Sequence, residues 1–241
     1  MVRKIQASVI LPTYNEAGNI IKLVEAIRNE LSLKKITHEV LVVDDDSPDK
    51  TGVLAQKYFS KIPEVRVIIR KKDRGLAKSI RTGIESAVGD VIVVMDTDFN
   101  HEPEVVPRLV EKCEKVDFAV GSRFVRGGGM ANKKRELLSR LFNIFLVRPI
   151  IGSPVSDNLS GFLAVRKSVL DKLDFGTIFY GYGDYFIRLI YLAKKNGATF
   201  AEVPSFYQER QYGASKSKFL NMFKDYLYSA LAIRFGREFK N

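Results

Sequence analysis

The stretch Val91-Ile92-Val93-Val94-Met95-Asp96-Thr97-Asp98 carries five apolar residues straight into two carboxylates set two apart. An apolar, β-branched run this short reads as a strand buried on both faces, the kind found in parallel sheets covered by helices. On an extended chain, residues two apart point to the same side, so Asp96 and Asp98 present their oxygens together. Such oxygens suit a hard divalent cation shared with substrate phosphates; the plainer alternative is a solvated turn.

Working outward, residues 7–11, 39–43, 65–70 and 118–120 read as further strands, and residues 19–31, 51–59, 75–87 and 104–115 as helices. Strands alternating with helices predict βαβ units, hence an α/β domain with a mostly parallel sheet. Such sheets take ligands beyond the carboxyl ends of their strands. Asp44, Asp45 and Asp46 end the second strand as Asp96 and Asp98 end the fourth, so both acidic clusters are expected at one rim. Pro12-Thr13-Tyr14-Asn15-Glu16 ends the first strand there too. The Tyr14 ring can pack on a base and Glu16 can accept from ribose or base donors, unless Asn15 and Glu16 merely cap the next helix.

Charge is divided unevenly along the 241 residues. Residues 1–120 hold 19 Lys+Arg and 19 Asp+Glu, whereas residues 121–241 hold 20 and 9, so the net +11 lies wholly in the second half. A basic half suits nucleic acid, anionic headgroups or a phosphorylated substrate. No nucleic-acid motif or basic-aromatic alternation accompanies it, which argues against the first. The one cysteine, Cys113, excludes an internal disulfide and a cysteine-based zinc site. No apolar run approaches the roughly 20 residues of a spanning helix, and no signal-peptide pattern opens the chain, so a cytoplasmic location is expected. His38 and His101 lack metal-ligand spacing and are assigned structural roles, although His101 lies near the carboxylate pair.

Pro12 to Glu16, Asp44-Asp45-Asp46-Ser47-Pro48-Asp49, Asp96-Thr97-Asp98 and Gly121-Ser122-Arg123 resemble, in order and spacing, the family-two glycosyltransferases. That resemblance implies a GT-A (nucleotide-diphospho-sugar transferase) fold, with a mostly parallel central sheet flanked by helices. Ser160-Gly161-Phe162 and Arg210-Gln211-Tyr212-Gly213-Ala214-Ser215-Lys216 look like the dolichyl-phosphate mannose synthase branch and its polyprenyl-phosphate glucosyltransferase relatives.

Carried over by position, the resemblance implies that Pro12, Tyr14, Glu16, Val43 and Asp45 surround the nucleotide. Asp96, Thr97 and Asp98 would hold Mg2+ or Mn2+ and the diphosphate, with Asn100 where relatives supply another metal ligand. Arg123, Arg210 and Lys216 are the implied phosphate clamp, and Arg135 with Ser139 matches an Arg-x-x-x-Ser pattern facing the acceptor phosphate. Asp96, Asp98, Arg123 and Arg210 are the expected catalytic set. Leu163 stands where relatives often carry Arg, so no phosphate contact is assigned there. The plainer readings are surface ion pairs for Arg123 and Arg210, a bond back to its own helix for Ser139, and a helix N-cap for Asp184.

The implied reaction is inverting transfer of a sugar to dolichyl or polyprenyl phosphate, with GDP-mannose as the first donor and UDP-glucose as the second. A phosphate monoester, with a second pKa near about 6, needs no strong base, whereas a soluble hydroxyl acceptor would need a carboxylate such as Asp184. A single glycosyltransferase domain is expected over 1–241: 1–120 for the nucleotide sugar, 121–218 for the acceptor and 219–241 as an amphipathic helix. Phe219, Leu220, Phe223, Leu227, Ala230 and Leu231 recur there at helical spacing beside Lys216, Lys218, Lys224, Arg234 and Arg237. That pattern either docks the chain peripherally on the cytoplasmic face of an anionic membrane or packs on its own core. The apolar helical stretch at 137–147 and a separate membrane subunit are the other anchors to consider.

Overall fold

The first apolar runs form β1 (Ala7–Thr13), β2 (His38–Asp44), β3 (Val65–Ile69) and β4 (Val91–Val94), interleaved with α1 (Ile20–Leu33), α2 (Thr51–Tyr58), α3 (Leu76–Ser86) and α4 (Val105–Lys112). Then come β5 (Phe118–Ser122), β6 (Gly129–Met130), α5 (Lys133–Phe142), a π-helical turn (Asn143–Val147) and α6 (Arg148–Ile151). β7 (Leu163–Arg166), α7 (Lys167–Leu170), α8 (Phe175–Ile178), α9 (Tyr185–Lys195), β8 (Phe200–Pro204), β9 (Phe206–Tyr207) and α10 (Phe219–Phe235) complete the chain. This is a computed structural model; it describes residues 5–209 and 219–236, with side chains in the second span from residue 222.

The main sheet has the order β3-β2-β1-β4-β7-β5-β8, and β7 alone runs antiparallel to its neighbours, β4 and β5. β6 and β9 pair separately. Because side chains alternate along a strand, Val9, Leu11, Val40, Val42 and Val93 bury one face under α1 and α4. Ile10, Leu41, Val43, Ile92 and Val94 bury the other under α3 and α9. Each such aliphatic side chain contributes about 1.5–3 kcal/mol when fully buried. At Gly83 of α3 an added Cβ would stand 2.4 Å from Ile10 Cγ2, so glycine sets how closely that helix lies on the sheet.

β1 lies between β2 and β4: the chain steps outward to β3, then returns to the far side of β1. The strand order reverses there, which opens a crevice at the carboxyl ends of β1 and β4. Two expectations change in the second half. The apolar stretch at 137–147 is not one regular helix, because buried Asn143 donates from Nδ2 to Ser156 O at 2.5 Å and accepts from Asn158 Nδ2 at 2.9 Å, at the point where α turns to π. The stripe on α10 packs mainly inward: Ala230 is buried, Phe223 stacks on Phe142 at 4.2 Å, and Leu231 is left exposed. The side chains of Phe219 and Leu220, together with Lys216, Lys218 and Arg237, lie outside the described residues.

Candidate active site

A cleft of about 730 Å3 opens at the strand ends, and Pro12, Tyr14, Glu16, Asp45, Asp96, Thr97, Asp98, Asn100, Arg123, Arg135 and Ser139 all line it. Sequence reasoning therefore placed eleven side chains on one surface. Val43 is different: its side chain is fully buried in the core. Arg210 and Lys216 lie outside the described residues.

At the β1–β2 end, Asp45 is held by three donors. Oδ1 accepts from Arg70 Nη1 at 2.5 Å and Ser79 Oγ at 2.8 Å, and Oδ2 accepts from Gly75 N–H at 2.6 Å. Arg70 thus positions the carboxylate assigned to the nucleotide, a role the sequence did not flag. Glu16 is buried and accepts from Asn19 Nδ2 at 2.7 Å, while Tyr14 is 40% exposed at the cleft mouth.

At the end of β4, Phe99 takes a left-handed φ of 59°, bending the chain so that Asp98 and Asn100 meet. Asp98 accepts from Asn100 N–H at 3.1 Å and from Asn100 Nδ2 at 2.6 Å, and the same Nδ2 lies 2.7 Å from the Tyr207 hydroxyl. Asn100 therefore braces Asp98 through its backbone and side-chain amide nitrogens, beside the carboxylate pair. Asp96, 43% exposed at its side chain, stands 3.7 Å from His101 Nε2. Two carboxylates fit a hard cation that completes its shell with phosphate oxygens and water. Among the described residues no group of three His, Cys, Asp or Glu side chains converges as a full protein cage.

On the opposite wall Arg123 is buried and paired, donating from Nε to Asp157 Oδ2 at 2.7 Å and from Nη2 to Oδ1 at 2.8 Å. The surface-pair alternative is replaced by a buried pair. Tyr207 lies between Arg123 and Arg135, each guanidinium 5.7 Å from its ring centroid, and burial pushes its phenol well above the usual range. Ser139 is buried, and its hydroxyl makes no hydrogen bond to another described residue. Asp184 does not cap α9 through its side chain: it accepts from Tyr182 N–H at 2.9 Å and pairs with buried Arg188.

The model of the family "Glycosyl transferase family 2" matches residues 8–174, a span that contains the β1–β2 end of the cleft and the carboxylate pair. The chain belongs to this family. Among similar proteins, the dolichol-phosphate mannosyltransferase of Pyrococcus furiosus is 39% identical over 224 residues, covering 91% of this chain and 61% of that protein. The chain thus spans under two thirds of that relative's length. The polyprenol monophosphomannose synthase of Mycolicibacterium smegmatis is 35% identical over 215 residues, covering 86% of this chain and 79% of the relative. Glucosyl-3-phosphoglycerate synthase from Mycobacterium tuberculosis, solved with Mn2+, UDP and phosphoglyceric acid, superposes with a TM-score of 0.70 at 20% identity, covering 96% of this chain and 78% of that one. The fold is GT-A, as the motifs implied.

Within this family-two domain, Arg70, Asp157 and Tyr207 are the residues that sequence reading missed. Arg70 sits at the carboxyl end of an expected strand beside the acidic rim, a position that marks it in retrospect. Nothing local marks Asp157 or Tyr207.

Proposed function

We propose that this domain transfers a sugar, mannose from GDP-mannose in the first instance, to dolichyl or polyprenyl phosphate with inversion at the anomeric carbon. The observation that carries the reading is one cleft with carboxylates at the β4 end and Arg135 and Ser139 on the facing α5 wall. The names of the Pyrococcus and Mycolicibacterium relatives support a mannosyl donor and a polyprenyl acceptor.

In this reading Pro12, Tyr14, Glu16 and Asp45 hold the nucleoside, with Arg70 and Ser79 keeping the Asp45 carboxylate aimed. Asp96 and Asp98 hold Mg2+ or Mn2+ against the diphosphate, and the cation supplies neutralisation of leaving-group charge. Arg135 and the Ser139 hydroxyl bind the acceptor phosphate, with Arg123, fixed by Asp157, lining the same wall beside Tyr207. Arg210 and Lys216 complete the clamp. A phosphate acceptor attacks without a base, because most of it is already dianionic at neutral pH. A hydroxyl acceptor is disfavoured, since the Asp184 carboxylate is engaged by Arg188 and Tyr182 rather than open to the cleft.

No helix among the described residues is long and apolar enough to cross a membrane. A lipid-linked acceptor keeps its phosphate at the headgroup level, so the cleft must meet the membrane surface, and the exposed apolar face of α5 and the π turn is the candidate for that contact, with or without a membrane subunit. The deciding experiment offers radiolabelled GDP-mannose and UDP-glucose separately with a short polyprenyl phosphate. Label from GDP-mannose should pass into organic solvent only when the lipid phosphate is present. Label from UDP-glucose alone would change the donor, and label confined to water-soluble product would overturn the acceptor.

A further inference from the structure

His101 follows the carboxylate pair and is 1% exposed, its ring 4.7 Å from the Phe162 ring and edge-on to Tyr207 at 5.3 Å. Neither Nδ1 nor Nε2 has a hydrogen-bond partner among the described residues. Buried polar groups are almost always paired, and an unpaired one destabilises the state that contains it, so this orphan points to a partner that arrives. Nε2 is 3.7 Å from Asp96 Oδ2, less than an ångström beyond hydrogen-bond length. Packing against two rings fixes the imidazole, whereas the Asp96 side chain is partly exposed and accepts no other hydrogen bond from a described residue. Asp96 is thus the member that moves.

We propose that His101 is a positioning residue for Asp96: as a nucleoside diphosphate and its cation draw the carboxylate inward, Nε2–H donates to Oδ2 and turns Oδ1 toward the cation. This rests on the reading of Asp96 and Asp98 as the cation and diphosphate site, and deepens it. Carboxylates that hold cations are commonly fixed by a hydrogen bond to the oxygen not facing the metal. This bond requires the ring to carry its proton on Nε2, while the Phe162 and Tyr207 rings hold the imidazole in place. A histidine that merely filled space would need neither this orientation nor this distance.

The test measures GDP binding by calorimetry with and without Mn2+, using UDP in place of GDP if only UDP binds. His101→Leu keeps comparable bulk without a donor, His101→Asn keeps a polar group too short to reach Asp96, and His101→Gln places an N–H near the Nε2 position. Leu and Asn should weaken Mn2+-dependent binding about tenfold, equivalent to about 1.4 kcal/mol, and leave metal-free binding unchanged, while Gln retains most of the affinity. Should Leu fail to fold, the comparison of Asn with Gln carries the same contrast. Leu and Asn binding like wild type, or Gln as weak as Asn, overturns the positioning role alone. Wild-type binding indifferent to Mn2+ overturns the reading of the site and this inference with it.

Discussion

Arg123 and Asp157 meet as a buried two-bond pair 34 residues apart in sequence, with Nε to Oδ2 at 2.7 Å and Nη2 to Oδ1 at 2.8 Å. Asp157 also accepts from the Arg123 and Leu159 backbone N–H groups, and is itself fully buried. Burial opposes the charge most strongly, but the attraction and hydrogen bonds of Asp157, with Tyr207 and Tyr226, together raise the Arg123 pKa above its ordinary value.

Breaking one side of such a pair strands the other charge. Asp157→Asn is expected to destabilise the fold by about 3–5 kcal/mol, while a joint replacement of Arg123 and Asp157 by apolar residues of similar volume recovers much of the loss. Urea denaturation of the two variants checks this. A single variant as stable as wild type would show that Arg123 holds its place without Asp157.

Asp96→Ala and Asp98→Ala are expected to abolish turnover and metal-dependent donor binding while circular dichroism stays native, since both side chains line the cleft at the end of β4. Asp98→Ala also removes the acceptor for both Asn100 donors, so it should lower stability by about 1–3 kcal/mol, a loss that Asp96→Ala does not share. Wild-type activity that survives chelation of divalent cations would refute the assignment.

The first four strands and the acidic rim were legible because their signals are local: a short apolar run, then a carboxylate, repeated with helices between. β7 was not. Leu163 to Arg166 is only four residues long and gains its place from antiparallel pairing with β4 some 70 residues earlier, which no local pattern encodes. The same reason hid Arg70 with Asp45 and Arg123 with Asp157, whose partners are 25 and 34 residues apart. At α10 the apolar spacing was visible, but which way it faced depended on Phe142, Arg188 and the α9 surface. Periodicity gives an apolar face without naming what covers it.

Cys113 tests the core beside α4. The thiol is 1% exposed, and burial pushes its pKa from 9.0 up to about 12. A raised thiol pKa favours the folded state fully below about pH 9, and that contribution is lost as pH rises toward 12. Ellman's reagent at pH 8 should therefore label Cys113 only after denaturant is added. Rapid labelling of the native protein would mean that the α4 side of the core opens readily.

The last prediction concerns the face through which a lipid acceptor is reached. α5 and the π turn leave Leu137, Leu138, Leu141, Ile144, Phe145 and Leu146 exposed, Phe145 by 70%. A contiguous apolar surface of this kind marks an interaction site, because scattered single residues are normal whereas a patch is not. Within residues 133–148 the cations are Lys133, Lys134, Arg135, Arg140 and Arg148, and Glu136 is the one acid. Each cation close to an anionic bilayer can contribute about 1 kcal/mol, so apolar insertion and charge act together. The same segment carries Arg135 and Ser139 on the cleft wall, so under the proposed function docking through it would bring those side chains to the height of the headgroups. Wild type should co-sediment with vesicles containing phosphatidylserine, less with neutral vesicles, and less as salt rises. Leu138→Glu combined with Phe145→Glu should abolish sedimentation while leaving circular dichroism and nucleotide binding unchanged, because neither side chain lines the cleft. Sedimentation that persists in the double variant would move the docking surface away from α5.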